Sequence, residues 1–203
     1  MAAESPVKAL LIAVTDDAPA AVYVINRLKP ESLCLFVPES AKSLVEASIQ
    51  PKVAPMPRRW DWIVTPDAQR FMVCYQALAR TLPELLRTWE VRAGELVTDL
   101  TGATPAMAAA LSLAGMPYVS RAVTLLRSAS GSSSDGETVT VEGRTYVWAQ
   151  GNPWDEAAAW FRREGCELFN RGEFGAAASL FRQLEARVSG GQKPLYRALA
   201  DVR

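Results

Sequence analysis

The hydrophobic positions of this chain come in short continuous runs, separated by longer stretches in which they recur every three or four residues. Val7-Lys8-Ala9-Leu10-Leu11-Ile12-Ala13-Val14 is one such run, and it ends at Thr15-Asp16-Asp17. A run without alternation suits a strand covered on both faces, as parallel strands are. Residues 20–28 then read as a helix with Val22, Ile25 and Leu28 on one side, closed by Lys29-Pro30. Ser32-Leu33-Cys34-Leu35-Phe36-Val37 is a second buried strand, and Pro38-Glu39-Ser40 opens a second helix carrying Leu44, Val45 and Ile49. Residues 50–59 are proline-rich and basic and read as loop, and 60–64 as a third strand closed by Thr65-Pro66-Asp67. Phe71, Tyr75, Leu78, Leu82, Leu85, Leu86 and Trp89 mark a long helix that Pro83 is expected to kink or split. A strand over 95–100, a helix over 105–113 and a strand over 118–126 follow.

Residues 128–136 (SASGSSSDG) read as a flexible turn, and 138–141 with 144–148 as a hairpin around Glu142-Gly143. Gly151-Asn152-Pro153 marks a boundary between a unit over 1–150 and a helical segment over 151–203. In that segment Phe161, Leu168 and Phe169 are expected to face Phe174, Leu180, Phe181 and Leu184 as an antiparallel helix pair, with a further helix starting at Lys193-Pro194-Leu195. A helix pair cannot bury both of its faces alone, so it is expected either to dock elsewhere or to begin a longer C-terminal region. The fold class is therefore α/β: a Rossmann-like, mostly parallel sheet flanked by helices, followed by the helix pair.

Composition narrows the chemistry. Of 203 residues 49% are hydrophobic, enough for a substantial core, and 22 basic side chains balance 22 acidic ones. That balance argues against duplex nucleic acid as a partner, because non-specific duplex binding needs an excess of positive charge. The chain contains no histidine, so neither a serine–histidine triad nor a histidine zinc site can form within it. Asp16-Asp17 reads better as a helix cap than as a metal site, and no metal is expected. Cys34, Cys74 and Cys166 are odd in number and set among apolar neighbours, which suits reduced core thiols in a cytoplasmic protein. No apolar stretch reaches the roughly twenty residues of a membrane span, and no membrane partner is expected.

The informative segment is Asp99-Leu100-Thr101-Gly102-Ala103-Thr104-Pro105-Ala106-Met107, where a strand runs through a small polar turn into an alanine-rich helix. In open parallel sheets ligands bind beyond the carboxyl ends of the strands, where helix N-termini direct N–H groups outward. Gly102 would permit a positive φ and close ligand approach, and Thr101 and Thr104 would offer hydroxyl donors and a cap. By local physics the turn reads equally as a ligand loop and as a capped connection.

The segment resembles the Asp-x-Thr-Gly-Gly-Thr-Lys-x-Met signature of CARF domains, the CRISPR-associated Rossmann folds that act as sensors in type III CRISPR immunity. Val14-Thr15-Asp16-Asp17 after the first strand and Phe36-Val37-Pro38-Glu39-Ser40 after the second fit the same pattern. The stretch from Asn152-Pro153 to Glu173-Phe174 is similar to the helical segment after the domain in a subfamily of these proteins. The resemblance implies a homodimer that binds a cyclic oligoadenylate, a ring of four or six adenylates, across its two-fold interface and controls a C-terminal effector. The ring is the ligand, and no cofactor is implied. Thr101, Gly102, Ala103, Thr104 and Met107 would line one wall, Thr15, Asp16 and Asp17 the other, with Ser40 beside them.

Two departures matter: Ala103 replaces the second glycine and Pro105 the lysine. Loss of the lysine shifts phosphate recognition to backbone N–H groups or to another basic residue, for which Arg121 is the candidate. It also argues against the alternative activity, a metal-independent ring nuclease using Thr101 and Thr104. A third reading is an ordinary nucleotide-binding or scaffold protein in which the motif match is accidental. Trp60, Trp62 and Trp89 read as packing residues, and Arg58-Arg59 and Arg162-Arg163 as solvated faces.

Overall fold

The computed structural model describes residues 7–127 and 136–201. Five strands form a parallel layer: β1 (Ala9–Ala13), β2 (Ser32–Pro38), β3 (Arg59–Thr65), β4 (Leu96–Asp99) and β5 (Val119–Arg127). Two more strands complete the sheet: β7 (Arg144–Gly151) runs antiparallel to β5, and β6 (Glu137–Val141) runs antiparallel to β7 at the edge. The order across the sheet is β3-β2-β1-β4-β5-β7-β6. The chain thus moves outward from β1 to β3, crosses back to the far side of β1 at β4, and continues the other way. The carboxyl ends of β1 and β4 meet at the point of reversal, where open α/β sheets place their ligands.

Helices cover both faces because each unbroken apolar strand supplies two cores. Leu10 and Ile12 of β1 point into one, where they pack with Val24, Ile25 and Leu28 of α1 (Ala18–Leu28) and with Val45 and Ile49. Ala9, Leu11 and Ala13 point into the other, against Leu78, Leu82 and Leu86 of α3 (Phe71–Thr88) and Met107 and Leu111 of α4 (Pro105–Gly115). The α/β class and the mostly parallel sheet expected from the sequence are those observed. The Glu142-Gly143 turn joins β6 to β7 with positive φ at both residues, 45° and 77°, which matches the twist of a two-residue hairpin.

Several local expectations change. The second helix is an irregular run: a 3-10 turn (Glu39–Ala41), a single α turn α2 (Lys42–Leu44), a π turn (Val45–Ile49) and a second 3-10 turn (Gln50–Lys52). Its buried residues Ala41, Val45 and Ile49 lie four apart, so one edge stays on the sheet while the winding varies. Pro83 does not split α3. It sits on the exposed side, where water can satisfy the carbonyl it leaves unbonded, while Leu82 and Leu86 pin the helix on either side of it. Cys34 and Cys74 are buried, and burial raises both thiol pKa values, but Cys166 is exposed, on the helix over Pro153–Asn170. Of the expected flexible turn, residues 128–135 lie outside the described residues.

The C-terminal part comprises α5 (Pro153–Asn170), α6 (Phe174–Arg187) and α7 (Lys193–Asp201). It builds its own core from Trp154, Ala158, Ala177, Phe181, Leu184, Tyr196 and Ala200, and Val119 of β5 joins it. The expected helix pair therefore docks, with a third helix added and the start of β5 as its platform. Trp154 Nε1 donates to Met116 O at 2.9 Å, and Arg187 Nε to Pro117 O at 3.3 Å. Gly165 lets α5 approach α6 closely, since a Cβ there would sit 2.5 Å from the Phe181 ring.

Candidate functional site

The reversal point brings two loops of distant sequence together. β1 is prolonged by Val14, whose N–H donates to Phe36 O at 3.0 Å, and the chain then turns outward through Thr15 and Asp16. β4 is prolonged by Leu100, whose N–H donates to Val123 O at 3.1 Å. Thr15 Oγ1 lies 2.9 Å from Gly102 O and 3.1 Å from Asp16 Oδ1, two acceptors for one hydroxyl proton. The expected association of the Thr15 loop with the Thr101 turn is thus a direct contact.

Asp99 organises the turn from beneath. Its side chain is completely buried, and Oδ1 accepts both the Thr101 N–H at 3.0 Å and the Thr101 hydroxyl at 2.5 Å. The same Thr101 hydroxyl accepts the N–H of Leu125 at 2.8 Å, so the threonine continues the β4–β5 ladder with its side chain. Burial pushes the Asp99 carboxyl up to about 7 against the opposing hydrogen bonds from Thr101. Its Oδ2 is buried with no partner among the described residues, and it is this desolvation that disfavours the charged form.

Gly102 is required for a reason the sequence reading missed. It is not among the positive-φ glycines; a Cβ there would fall 2.6 Å from Ala13 O and 3.3 Å from Val14 Cα. The missing side chain lets the turn lie against the end of β1. Ala103 likewise is absent from the residues with positive φ, so alanine fits without strain. Thr104 caps α4, accepting the Met107 N–H at 3.2 Å, while its hydroxyl donates to Ala68 O. Pro105 takes the first helical position, where a missing N–H costs nothing. The hydroxyl protons of Thr101 and Thr104 are therefore committed within the protein. The N–H groups of Gly102, Thr104 and Ala106 have no acceptor among the described residues. They cluster at the amino end of α4, where the helix dipole favours an anion.

The remaining expected residues fall in three places. Asp16 is exposed just beyond the carboxyl end of β1, and Ser40 is exposed just beyond the carboxyl end of β2. Asp17 is structural on both oxygens: Oδ1 caps α1 through Ala20 N at 3.1 Å, and Oδ2 accepts the Tyr146 hydroxyl at 2.9 Å. Burial, followed by Asp17, raises the Tyr146 pKa, and Arg144 partly opposes this. Met107 has its side chain wholly within the core and supports α4 from behind. Arg121 is not brought to the turn. It pairs with Val97, whereas Leu125 is level with Thr101, so Arg121 lies roughly 13 Å down the strand toward the amino edge.

Three arginines on the carboxyl edge were not singled out by sequence. Arg127 ends β5 and pairs with Tyr146; Arg144 begins β7; Arg70 precedes α3, two residues after the Ala68 carbonyl that Thr104 binds. Their signal was positional: each stands where a strand leaves, a strand returns, or a helix starts on that edge. Among the described residues no group of three or more histidine, cysteine or carboxylate side chains could hold a metal ion, and no helix is long and apolar enough to cross a membrane.

No family model matches the sequence, and no curated protein is similar to it at a significant level. Solved structures share the fold. Enterococcus italicus Csm6 bound to cyclic hexa-2′-fluoro-hexa-dAMP superposes with a TM-score of 0.66 at 14% identity, over 97% of this chain and 54% of that one. This chain therefore spans about half the length of that protein. Can2 from Sulfobacillus thermosulfidooxidans in complex with cyclic tetra-adenylate gives a TM-score of 0.47 at 13% identity, over 96% of this chain and 63% of that one. A type III CRISPR defence DNA nuclease activated by cyclic oligoadenylate gives 0.43 at 16% identity, over 97% of this chain and 33% of that one. The first of the three establishes a common fold; the other two add nothing to that inference.

Proposed function

We propose that the chain is a CARF-type sensor that binds a cyclic oligoadenylate at the β1–β4 reversal point and does not cut it. The observation that carries this reading is the set of unpartnered N–H groups of Gly102, Thr104 and Ala106 at the start of α4, beside the Thr15-Asp16 loop that Thr15 ties to Gly102. Phosphodiester oxygens are the acceptors such a cluster suits. The fold shared with a Csm6 bound to a cyclic hexanucleotide supports the same ligand class. Thr15, Asp16, Ser40, Thr101, Gly102, Ala103 and Thr104 form the cleft; Asp17 and Met107 hold its elements; Arg70, Arg127 and Arg144 supply positive charge in place of the missing lysine.

A ring with two-fold symmetry would be shared by two copies of the chain, each offering the same patch. Commitment of the Thr101 and Thr104 hydroxyls to Asp99, Leu125, Ala68 and Met107 leaves neither free to align a ribose hydroxyl for cleavage. α5–α7, docked on the start of β5, would carry the binding signal away from the sheet. Calorimetry of the chain with cyclic tetra- and hexa-adenylate tests the reading. One ring is expected to bind with a stoichiometry of one ring per two chains, and Gly102→Val, which intrudes on Ala13 and Val14, to abolish the heat. Absence of heat with both rings rejects the proposal. Linear products in the presence of a chelator would replace it with the nuclease reading.

A further inference from the structure

A second cavity lies on the opposite edge of the sheet, between the strands and the C-terminal helices. It has a volume of about 380 Å³ and is lined by Ser120 and Arg121 of β5, Gln150 and Asn152 at the end of β7, and Arg187 and Lys193 of the helical part. The size suits a ligand no larger than a mononucleotide.

Its charge is distinctive. Arg187 is nearly half buried, and burial lowers its pKa. Its guanidinium lies 4.9 Å from the centre of the Trp154 ring and, among the described residues, donates only to carbonyls, Pro117 O at 3.3 Å and Gln183 O at 3.0 Å. Lys193, at the amino end of α7, is partly buried and joins no ion pair among the described residues. Arg121 Nη1 donates to Gln150 Oε1 at 3.4 Å, on the same wall. Asp155, the single carboxylate of the lining, is turned to the Ser189 N–H at 2.8 Å. A half-buried arginine without a carboxylate stands where an anion would recover the solvation it has lost.

We propose that this cavity is a binding site for a small phosphomonoester of mononucleotide size. Its phosphate dianion meets Arg187 and Lys193, and its remaining polar groups meet the Gln150 amide, while Asn152 and Ser120, whose donors are bonded to Arg187 O and Leu96 O, shape the wall. The amino end of α7 adds its favourable pole. Because α6 and α7 stand on one side of the cavity and β5 and β7 on the other, occupancy fastens the helical part to the sheet. The proposal stands independently of the cyclic oligoadenylate reading.

Adenosine 5′-monophosphate, inorganic phosphate and adenosine are the probes, titrated into the full chain by calorimetry and followed by amide NMR. The monophosphate is expected to bind saturably with a dissociation constant between about 10 μM and 1 mM, phosphate to compete with it, and adenosine not to bind. Lys193→Glu, at a partly exposed position, is expected to weaken binding at least tenfold while the unliganded melting temperature is unchanged. The amides of Gly151, Asn152, Ser189 and Lys193 are expected to shift. Binding of adenosine as tight as that of the monophosphate, an unchanged affinity in Lys193→Glu, shifts confined to Gly102 and Thr104, or no saturable binding at all would each overturn the assignment.

Discussion

The hydroxyl of Thr15 lies 2.9 Å from the carbonyl oxygen of Gly102, a side-chain-to-backbone bond between residues 87 positions apart. It closes the cleft at the point where the parallel sheet reverses direction. Thr15→Val keeps the shape and removes the bond. Stability is expected to fall by about 0.5–1.5 kcal/mol in chemical denaturation. Affinity for the cyclic ring should fall with it, because the two walls are no longer tied.

Thr101 has a larger structural share, since one hydroxyl serves Asp99 and Leu125 together. In Thr101→Val the Leu125 N–H loses its acceptor, at an expected cost of about 1–3 kcal/mol. Thr101→Ser retains both bonds and should recover most of the loss. A serine variant as unstable as the valine variant would show that the methyl group, not the hydroxyl, matters.

Asp99 gives the fold a pH dependence of defined sign. Its carboxyl is pushed up to about 7 in the folded chain, against about 3.9 unfolded. Between those values the folded state holds a proton that the unfolded state has released. Stability is therefore expected to decline as pH rises from about 4 to about 7 and then to level off, by a few kcal/mol in all. Asp99→Asn removes that slope, so the difference between variant and parent unfolding free energies, measured across this window, isolates it. A difference independent of pH would mean that the buried carboxyl is ionised throughout.

The arginines on the carboxyl edge are expected to matter for the ring, and Arg121 is not. Arg144→Ala or Arg127→Ala should each weaken ring binding roughly tenfold and flatten its salt dependence. Arg121→Ala should leave ring binding unaltered. The comparison is a calorimetric salt series across the three variants.

Most of the architecture was readable because it rests on patterning. Apolar runs such as 9–14 and 33–37 suit strands covered on both faces, and their alternation with amphipathic stretches points to parallel crossovers. Departures from regularity were less visible. The irregular winding over 39–52 keeps the four-residue spacing of a helix, so periodicity cannot distinguish it. Pro83 is harmless because of which side it faces, a property of the packed helix. At the site, the turn itself was identifiable, but not how its atoms are used: Gly102 answers to the backbone of Ala13, a residue of another strand. Arg121 follows the start of β5 in sequence, and the parallel register with β4 sets it level with Val97, several residues short of the turn. The hydroxyl commitments of Thr101 and Thr104 depend on Leu125 and Ala68, contacts that no local pattern records.

The single antiparallel return in the sheet has a mechanical consequence. β7 begins beside Arg127, with Tyr146 bonded to the Asp17 that caps α1, and ends at Gly151, next to the start of α5. It is eight residues long, a strut of roughly 25 Å with one foot under the cleft and the other under the helical part. Asp17 and the start of α5 are thus the two ends of one continuous strand, joined through Tyr146 at one end and Gly151 at the other. A single span of extended backbone therefore covers the distance between the two edges of the sheet, with no loop interrupting it.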